Sequence, residues 1–432
     1  MATLTDDSMM NDQETLTYLT GLLSNGIRLD LAPFEQLLAK LKRPHKAYDT
    51  ILVGGTNGKG SVASTTAAIL IQAGYRVGLY TSPHLVDVRE RIQVNGEMIS
   101  PDALNRCIAE IRATAEPAGT YFECLTVAAF LHFREKRVDL AVLEVGMGGR
   151  LDATNVADRL VSVISNVTLE HTDYLGKHLR EIAGEKAGII KGKGLCLTGA
   201  TQPIVRQTLR DRARDLDATL LELGKDFRVR RGGNGTFSFQ GMHETIRGLK
   251  TALTGDHQLK NAALGVAAVE VLAGHGYAVK KEHIVSGLAA VRWPGRLEVV
   301  RHNPTVILDG AHNPAASNVL VDSLKRCYTW RQLILVFGVL KDKKYREMMK
   351  RLCPLADRVI LTLPNTERAV PPERLSPIAA QYCRDVAIIP SPRLAFRKAI
   401  SEAAVDDLIC VCGSLYLVGD VKRFLHGTSF SS

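Results

Sequence analysis

One segment of this chain has the residue types that hold phosphate. In the run TILVGGTNGKGSVASTTAAILIQAGY an apolar strand leads into Gly54-Gly55-Thr56-Asn57-Gly58-Lys59-Gly60-Ser61, and small residues follow as far as Ala73. Glycines let successive backbone N–H groups curl round phosphate oxygens, the N-terminus of the following helix adds a favourable dipole, and Lys59 supplies a point charge. Gly74 stands where a helix C-terminus favours a residue of positive φ. The common G-x-x-x-x-G-K-[ST] pattern is not met, because position 53 is Val and Gly60 separates Lys59 from Ser61. A glycine-rich turn with no ligand lacks the flanking strand and helix seen here. Gly55, Thr56, Asn57, Gly58, Lys59, Gly60 and Ser61 are therefore expected to line a nucleotide's phosphates.

Three further residues follow predicted strands by one residue or a short loop: Ser82, Glu144 and His171. In doubly wound sheets ligands collect beyond the carboxyl ends of the strands, so the three can converge beside the phosphate loop. A hydroxyl, a carboxylate and an imidazole suit Mg²⁺ held partly by nucleotide phosphates and water. Taken singly, Glu144 reads equally as a solvated strand-end carboxylate and His171 as a capping or hydrogen-bonded histidine. Lys186, on a helix expected over 179–190, reads by itself as an exposed helical lysine.

The elements that must position these groups follow from the apolar pattern. Short β-branched runs at 50–53, 77–80, 140–145, 160–164 and 195–198 alternate with longer amphipathic stretches, which signals βα units and a largely parallel sheet. Residues 227–247, with Gly-Gly-Asn-Gly between alternating segments, read as an antiparallel hairpin. A second α/β series has strands expected at 305–308, 332–337, 358–361 and 408–412. Trp293-Pro294-Gly295 disfavours any regular element, and the domain boundary is placed near residue 297, giving domains 1–297 and 298–432. The expected fold is α/β: an N-terminal parallel-sheet domain of the P-loop ATPase type, a smaller Rossmann-like C-terminal domain, and a cleft between them.

Composition narrows the function. The 432 residues are 46% hydrophobic and 23% charged, ordinary for a globular protein of two or three domains. No stretch approaches the roughly 20 apolar residues of a membrane helix. Residues 1–14 are polar and acidic, unlike a secretory signal. None of the eight cysteines forms a C-x-x-C pair and several sit in apolar runs, which points to buried thiols in a reducing cytoplasm rather than disulfides or zinc. The net charge of +10 is scattered, with short clusters at 228–231 and 341–346 and no interleaved aromatics. That distribution attracts small anions and argues against nucleic acid as a partner.

The segment G-T-N-G-K-G-S resembles the phosphate loop of the folylpolyglutamate synthases and dihydrofolate synthases of the Mur ligase superfamily. The resemblance extends through Thr81-Ser82-Pro83-His84-Leu85, FECLT from Phe122, LEVGMGGRLDATN from Leu143, EHTDYLG from Glu170 and EKAGIIK from Glu185. GDHQLKNA from Gly255, WPGRLE from Trp293 and LDGAHNP from Leu308 complete it, in the family's order and over the chain from about residue 28 onward.

The resemblance implies that Ser82 and Glu144 hold one Mg²⁺, that Glu144 and His171 hold a second, and that Lys186 is carbamylated, a change that requires a neutral amine. It implies ATP contacts from Asn261, Arg296 and Asp309, with catalytic roles for Lys59, Lys186, His171 and Arg296. Read plainly, those ATP contacts would be a helix-surface Asn, a linker Arg and an Asp capping the helix that starts near Pro314. The acid substrate is expected at Leu29, Asp30 and Leu31, at Tyr121, Phe122, Glu123 and Cys124, and at Leu151, Asp152 and Ala153. Tyr121 and Phe122 could stack on a flat ring or belong to the core.

The implied activity is a cytoplasmic, monomeric ligase with ATP as co-substrate. It would add L-glutamate to dihydropteroate and to folates through an acyl phosphate. The residues leave open whether both acceptors are used or folates alone. A peptidoglycan-type ligase would need a nucleotide-sugar domain before the phosphate loop, where only about fifty residues stand. A P-loop switch would leave LEVGMGGRLDATN and LDGAHNP unexplained.

Overall fold

The computed structural model describes residues 10–114 and 119–427, so most of the acidic N-terminal run lies outside the described residues. The chain forms two compact units. One runs to His84, from Arg89 to Ala252 and from Leu259 to Val291, and the other comprises Leu85–Val88, Leu253–Gln258 and everything from Arg292. The break at Val291 falls next to Trp293-Pro294-Gly295. The two short segments assigned to the other unit were not foreseen.

The first unit is built on strands β1 (Asp49–Gly54), β2 (Val77–Tyr80), β3 (Ile92–Val94), β4 (Glu97–Met98), β5 (Leu140–Glu144), β6 (Val161–Ile164), β7 (Leu195–Thr198) and β8 (Thr219–Glu222). They pair in the order β4-β3-β2-β5-β1-β6-β7-β8. All pairs are parallel except those of β3 with β2 and with β4. Central parallel strands are covered on both faces, so they read as continuous apolar runs, and every residue of β2, β5 and β6 is buried. The expected hairpin is a three-stranded antiparallel sheet of β9 (Arg228–Arg231), β10 (Phe237–Gln240) and β11 (Thr245–Leu249). Its Phe237, Phe239, Ile246 and Leu249 join Ile51, Val53 and Val62 in one core.

The second unit holds β12 (Glu298–His302), β13 (Thr305–Leu308), β14 (Leu333–Phe337), β15 (Arg358–Leu361), β16 (Asp385–Ile388) and β17 (Leu408–Cys412), ordered β12-β13-β17-β14-β15-β16. Only β12 runs antiparallel to its neighbour. The helices before the phosphate loop are α1 (Asp12–Gly21) and α2 (Ala32–Lys40). Then come α3 (Lys59–Gln72), α4 (Pro101–Thr114), α5 (Tyr121–Glu135), α6 (Thr172–Leu175), α7 (Leu179–Ala187), α8 (Pro203–Asp215), α9 (Asp256–Val271), α10 (Lys281–Ala290) and α11 (Pro314–Cys327). The α/β class expected from the apolar pattern is the one observed. None of the eight cysteines forms a disulfide, and all but Cys327 are buried.

The loop after β5 is fastened to the C-terminal end of α7 backbone to backbone. Arg150 N–H donates to the Glu185 carbonyl at 2.9 Å, and the Arg150 guanidinium clasps the Glu185 carboxylate. Asn155 Nδ2 donates to the Arg150 and Gly188 carbonyls, and Arg159 ties Asn155 to the Ile189 carbonyl. No side chain fits between the two segments: a Cβ on Gly188 would lie 2.5 Å from Arg150 Cα, and one on Gly149 would lie 2.9 Å from the Glu185 carbonyl oxygen. Gly184, on the same helix, has open space at that position. Gly188→Ala should therefore lower the thermal midpoint, by about 1–3 kcal/mol of overpacking, whereas Gly184→Ala should be neutral or stabilising. Equal midpoints for the two variants would show that the loop and helix are not clamped here.

Two buried histidines make this unit sensitive to acid. His45 and His132 are 5% and 3% exposed, and the Nδ1 of each is buried without a hydrogen-bond partner. Burial, the largest cause in both, holds each imidazole down to about 4 against an ordinary value of 6.5. The unfolded chain then takes up protons that the folded one refuses, so stability present above pH 6.5 is lost as the pH falls toward 4. The loss should be roughly 1–2 kcal/mol per histidine between pH 7 and 5. Thermal midpoints measured across that range should show the slope, and His132→Gln should flatten it. An unchanged slope would assign the acid sensitivity elsewhere.

Candidate active site

The phosphate loop leaves β1 at Gly54 and enters α3 through Gly58, whose φ of +83° suits glycine. A Cβ at Gly58 would also strike the Asn261 amide, at 2.6 Å from Oδ1. The loop has its own scaffold in the turn after β6. Thr56 N–H donates to the Asn166 carbonyl at 2.8 Å, Asn57 N–H to Asn166 Oδ1 at 2.9 Å, and Ser165 Oγ to the Asn57 carbonyl at 2.8 Å. The amides of Thr56 and Asn57 are thus engaged within the protein. Those in the first turn of α3, from Lys59 through Ser61, have no partner inside the helix and are the ones aimed at an anion. Lys59 is half-buried and its Nζ donates to the Thr56 carbonyl at 3.2 Å.

Lys186 overturns the reading of an exposed helical lysine. It is 4% exposed, and its Nζ donates to the Gly55 carbonyl at 2.7 Å. Burial and then the Lys59 charge bring its amine down to about 7, while Glu170 and Asp152 oppose the shift. The helix that carries it ends at Ala187 rather than at 190, where Gly188 meets Arg150.

Glu144 is the last residue of β5 and is 4% exposed, so it is not a solvated strand-end carboxylate. Its Oε2 accepts the Ser82 N–H at 3.0 Å, which places Ser82 beside it. His171 is exposed, in a left-handed backbone conformation at the start of α6, and its side chain makes no capping hydrogen bond. The capping reading is therefore not the one observed. Among the described residues no three His, Cys, Asp or Glu side chains gather as a metal cage. A donor set of one carboxylate, one hydroxyl and one imidazole fits a hard cation that takes its remaining ligands from phosphate and water.

On the expected acid-substrate side, Leu29, Asp30 and Leu31 lie in the segment before α2, and Leu29 keeps 49% exposure. Asp30 Oδ1 accepts the Ala32 N–H at 3.0 Å. Tyr121 and Phe122 are half-buried in the first turn of α5, with the Phe122 ring packed where a side chain at Gly146 would stand. Two of their neighbours face inward. Glu123 closes a capping box with Thr120, and Cys124 is fully buried, its thiol pushed up to about 12 by burial. Asp152 is buried, accepts from Met147 N–H and Thr154, and is raised by that burial. Leu151 beside it is half-buried and Ala153 is buried. Arg91, which the sequence reading passed over, reaches this wall: its guanidinium carbon lies 5.4 Å from the centre of the Tyr121 ring.

Asn261, on α9, is 7% exposed and packs on Gly58 rather than lying on a helix surface. In the second unit, Asp309 follows β13 and accepts the Leu297 and Ala311 N–H groups, each at 2.9 Å. The cap of α11 is Asn313, through Ala316 N–H at 2.8 Å, and not Asp309. Burial raises the Asp309 carboxyl, and the charge of half-buried Arg296 opposes that shift. His312, within the same LDGAHNP motif but not singled out above, holds its Nδ1 2.7 Å from the Gly310 carbonyl.

Comparison with known proteins identifies the family. The Mur ligase middle domain matches residues 53–269, and the Mur ligase glutamate ligase domain matches 295–415. The dihydrofolate synthase/folylpolyglutamate synthase of Bacillus subtilis is 34% identical over 96% of this chain and 99% of its own length. The structure of Escherichia coli FolC in complex with DHPP and ADP superposes with a TM-score of 0.90, at 32% identity over 97% of this chain and 99% of that one. A bifunctional folylpolyglutamate synthase/dihydrofolate synthase with Mn, AMPPNP and L-glutamate bound gives 0.87, at 32% identity over 97% and 100%. With a phosphate loop, a buried lysine and a strand-end glutamate brought together in the first unit, the chain belongs to the dihydrofolate synthase/folylpolyglutamate synthase family of Mur ligases, which are ATP-dependent ligases.

Proposed function

We propose that this chain adds L-glutamate both to dihydropteroate and to folyl-polyglutamates, releasing ADP and phosphate. The observation that carries the reading is the meeting of Lys59, Lys186 and Glu144 around one phosphate loop, at the carboxyl ends of adjacent parallel strands. Relatives whose structures hold ADP with DHPP, or Mn, AMPPNP and L-glutamate, support it.

A carboxylate does not condense with an amine in water until it is activated. The α3 N-terminus and Lys59 would bind the nucleotide phosphates, with Asn261 closing over Gly58, and orient the γ-phosphoryl group toward the acceptor's carboxylate. By the same resemblance Arg296 and Asp309 are nucleotide-contacting residues, Arg296 adding positive charge as the acyl phosphate forms. Glutamate's amine then attacks that carbonyl carbon and phosphate leaves. Ser82, Glu144 and His171 would hold Mg²⁺ at two sites, where it supplies charge neutralisation for the phosphates. The acceptor would lie against Tyr121, Phe122 and Asp152, with Leu29 and Leu31 at its ring end. We place the enzyme in the cytoplasm, in keeping with cysteines that form no disulfide.

The wild-type enzyme should release ADP only when glutamate and an acceptor are both present, with dihydropteroate and tetrahydrofolate each accepted. Turnover with tetrahydrofolate alone would reduce the reading to folylpolyglutamate synthase. Lys59→Ala should abolish ligation and weaken ATP binding at an unchanged thermal midpoint, and near-normal turnover in a folded variant would remove the phosphate-loop assignment.

Lys186 is further proposed to be carbamylated, its amine adding to CO₂ with loss of a proton. An amine brought down to about 7 gains its reactive neutral form as the pH rises through that value. Activity should therefore fall below pH 7 and fall on removal of CO₂ and bicarbonate. Lys186→Ala should be inactive and partly rescued by small carboxylates. Full activity in CO₂-depleted buffer would refute the carbamate and leave a neutral amine hydrogen-bonded to the loop.

A further inference from the structure

The fold pairs its buried charges with care. Arg159 directs its guanidinium to the carbonyls of Asn155, Ala157 and Ile189 and to Asn155 Oδ1. Buried Glu222 takes both Arg206 and Arg210, and buried Asp407 takes Arg331. Arg91 is less completely satisfied. It is 8% exposed, its Nε donates to His84 Nδ1 at 2.9 Å, and its plane lies over Tyr121. Among the described residues no carboxylate pairs with it, and neither terminal nitrogen donates to any group. A largely buried cation without a counter-charge is costly, and its terminal nitrogens are not sealed off, so a ligand can reach them.

The position of Arg91 says which ligand. Its backbone carbonyl accepts the Thr81 N–H at 3.0 Å, which fixes it beside Ser82 at the end of β2. Tyr121 continues into Phe122, whose ring lies 5.9 Å from that of Tyr80 and packs on Gly146. The next residue, Met147, donates its N–H to Asp152. The unpaired guanidinium is therefore part of the wall assigned above to the acceptor. With Nε held by His84, the edge that remains is the pair of terminal nitrogens, whose two parallel donors match the two oxygens of a carboxylate. Tyr121 holds the plane of the fork from one face.

We propose that Arg91 is a preformed carboxylate subsite of the acceptor, pairing end-on through both terminal nitrogens with a carboxylate of the pteroyl substrate. The inference rests on the acceptor being a pteroyl acid. Two carboxylates carry this chemistry: the one that becomes phosphorylated, present in every acceptor, and the α-carboxylate of a terminal glutamyl residue, which tetrahydrofolate has and dihydropteroate lacks.

The test compares Arg91→Gln and Arg91→Lys with the wild type. It reads KM for dihydropteroate, for tetrahydrofolate and for ATP, together with the thermal midpoint. The Gln variant should raise acceptor KM roughly ten- to a hundredfold. Its KM for ATP should not change, and its midpoint should be equal to or above that of the wild type, because an unpaired buried cation has been removed. Arg91→Lys keeps the charge but not the fork and should fall between the two. A rise for both acceptors identifies the reacting carboxylate, and a rise for tetrahydrofolate alone identifies the α-carboxylate. Unchanged acceptor KM in a folded Gln variant overturns the subsite. A Gln variant that is destabilised or does not fold makes Arg91 structural, which also overturns it. A wild type that ligates neither acceptor defeats the parent reading and this one with it, whereas normal wild-type ligation with an indifferent Gln variant defeats this one alone.

Discussion

Register between β1 and its two neighbours governs the site. Val53 stands opposite Glu144 of β5, and Gly54 opposite Ile164 of β6. The strands therefore end together, and the residues just beyond them (Gly55, Glu144 with Val145, Ser165 with Asn166) come within hydrogen-bonding reach. Gly54 accepts the Ser165 N–H and Val53 accepts the Val145 N–H, each at 2.9 Å, so the ladder continues one step past the sheet on both sides. A slip of one residue would turn every side chain of β1 to the opposite face and carry the glycines away from Asn166. The apolar faces of β1, β5 and β6 prevent that slip, because all are buried between helices. Core packing thus sets the geometry of the phosphate loop.

Charge is arranged on that frame in a graded way. Lys59 is half exposed and Lys186 is sealed behind it on the Gly55 carbonyl, so two amines meet the same short loop. Desolvation of Lys186, and then the charge of Lys59, bring the inner amine down to about 7. The outer one is left facing the phosphate side of the loop. The inner one is held where a change in its charge state can be used chemically, the usual reason for burying a lysine rather than an arginine. Glu144 and Asp152 are buried nearby, each accepting backbone N–H groups that fix their orientation.

Most of the frame was legible because buried parallel strands carry a continuous apolar signal. The runs at 77–80, 195–198, 305–308, 358–361 and 408–412 coincide with the observed strands. Those that escaped, β3, β4, β8, β12 and β16, are short or lie at the edges of sheets, where half-exposed residues blur the pattern. Burial of Lys186 was available in principle. Ile182, Ala183, Lys186 and Ala187 share one helical stripe, and that stripe is the buried one. A lysine at an apolar position of an amphipathic helix should have outweighed the general exposure of lysines. Arg91 offered no such signal. Its environment is assembled from His84 and Tyr121, on either side of a helix and two strands, and no local pattern encodes that meeting.

Lys186 and Arg91 share a thermodynamic consequence. Each is a basic group withdrawn from water, and in neither case does a neighbouring carboxylate of the first unit compensate it fully. The apo fold therefore carries a cost at the two places where ligands are expected to bring negative charge, the nucleotide side and the acceptor side. Ligand that binds only the folded state returns that free energy as added stability, in proportion to the logarithm of its concentration over its dissociation constant. The scaffold can bear the cost because it is strong elsewhere: α7 is clamped through Gly188 and Arg150, and α5 is closed by the Thr120–Glu123 capping box. Both helices carry their functional side chains next to those fastenings, Lys186 two residues from Gly188 and Tyr121 one residue from Thr120. A group that is uncomfortable in the empty protein thus sits where the backbone is least able to move away from it, and the strain is retained until a ligand relieves it.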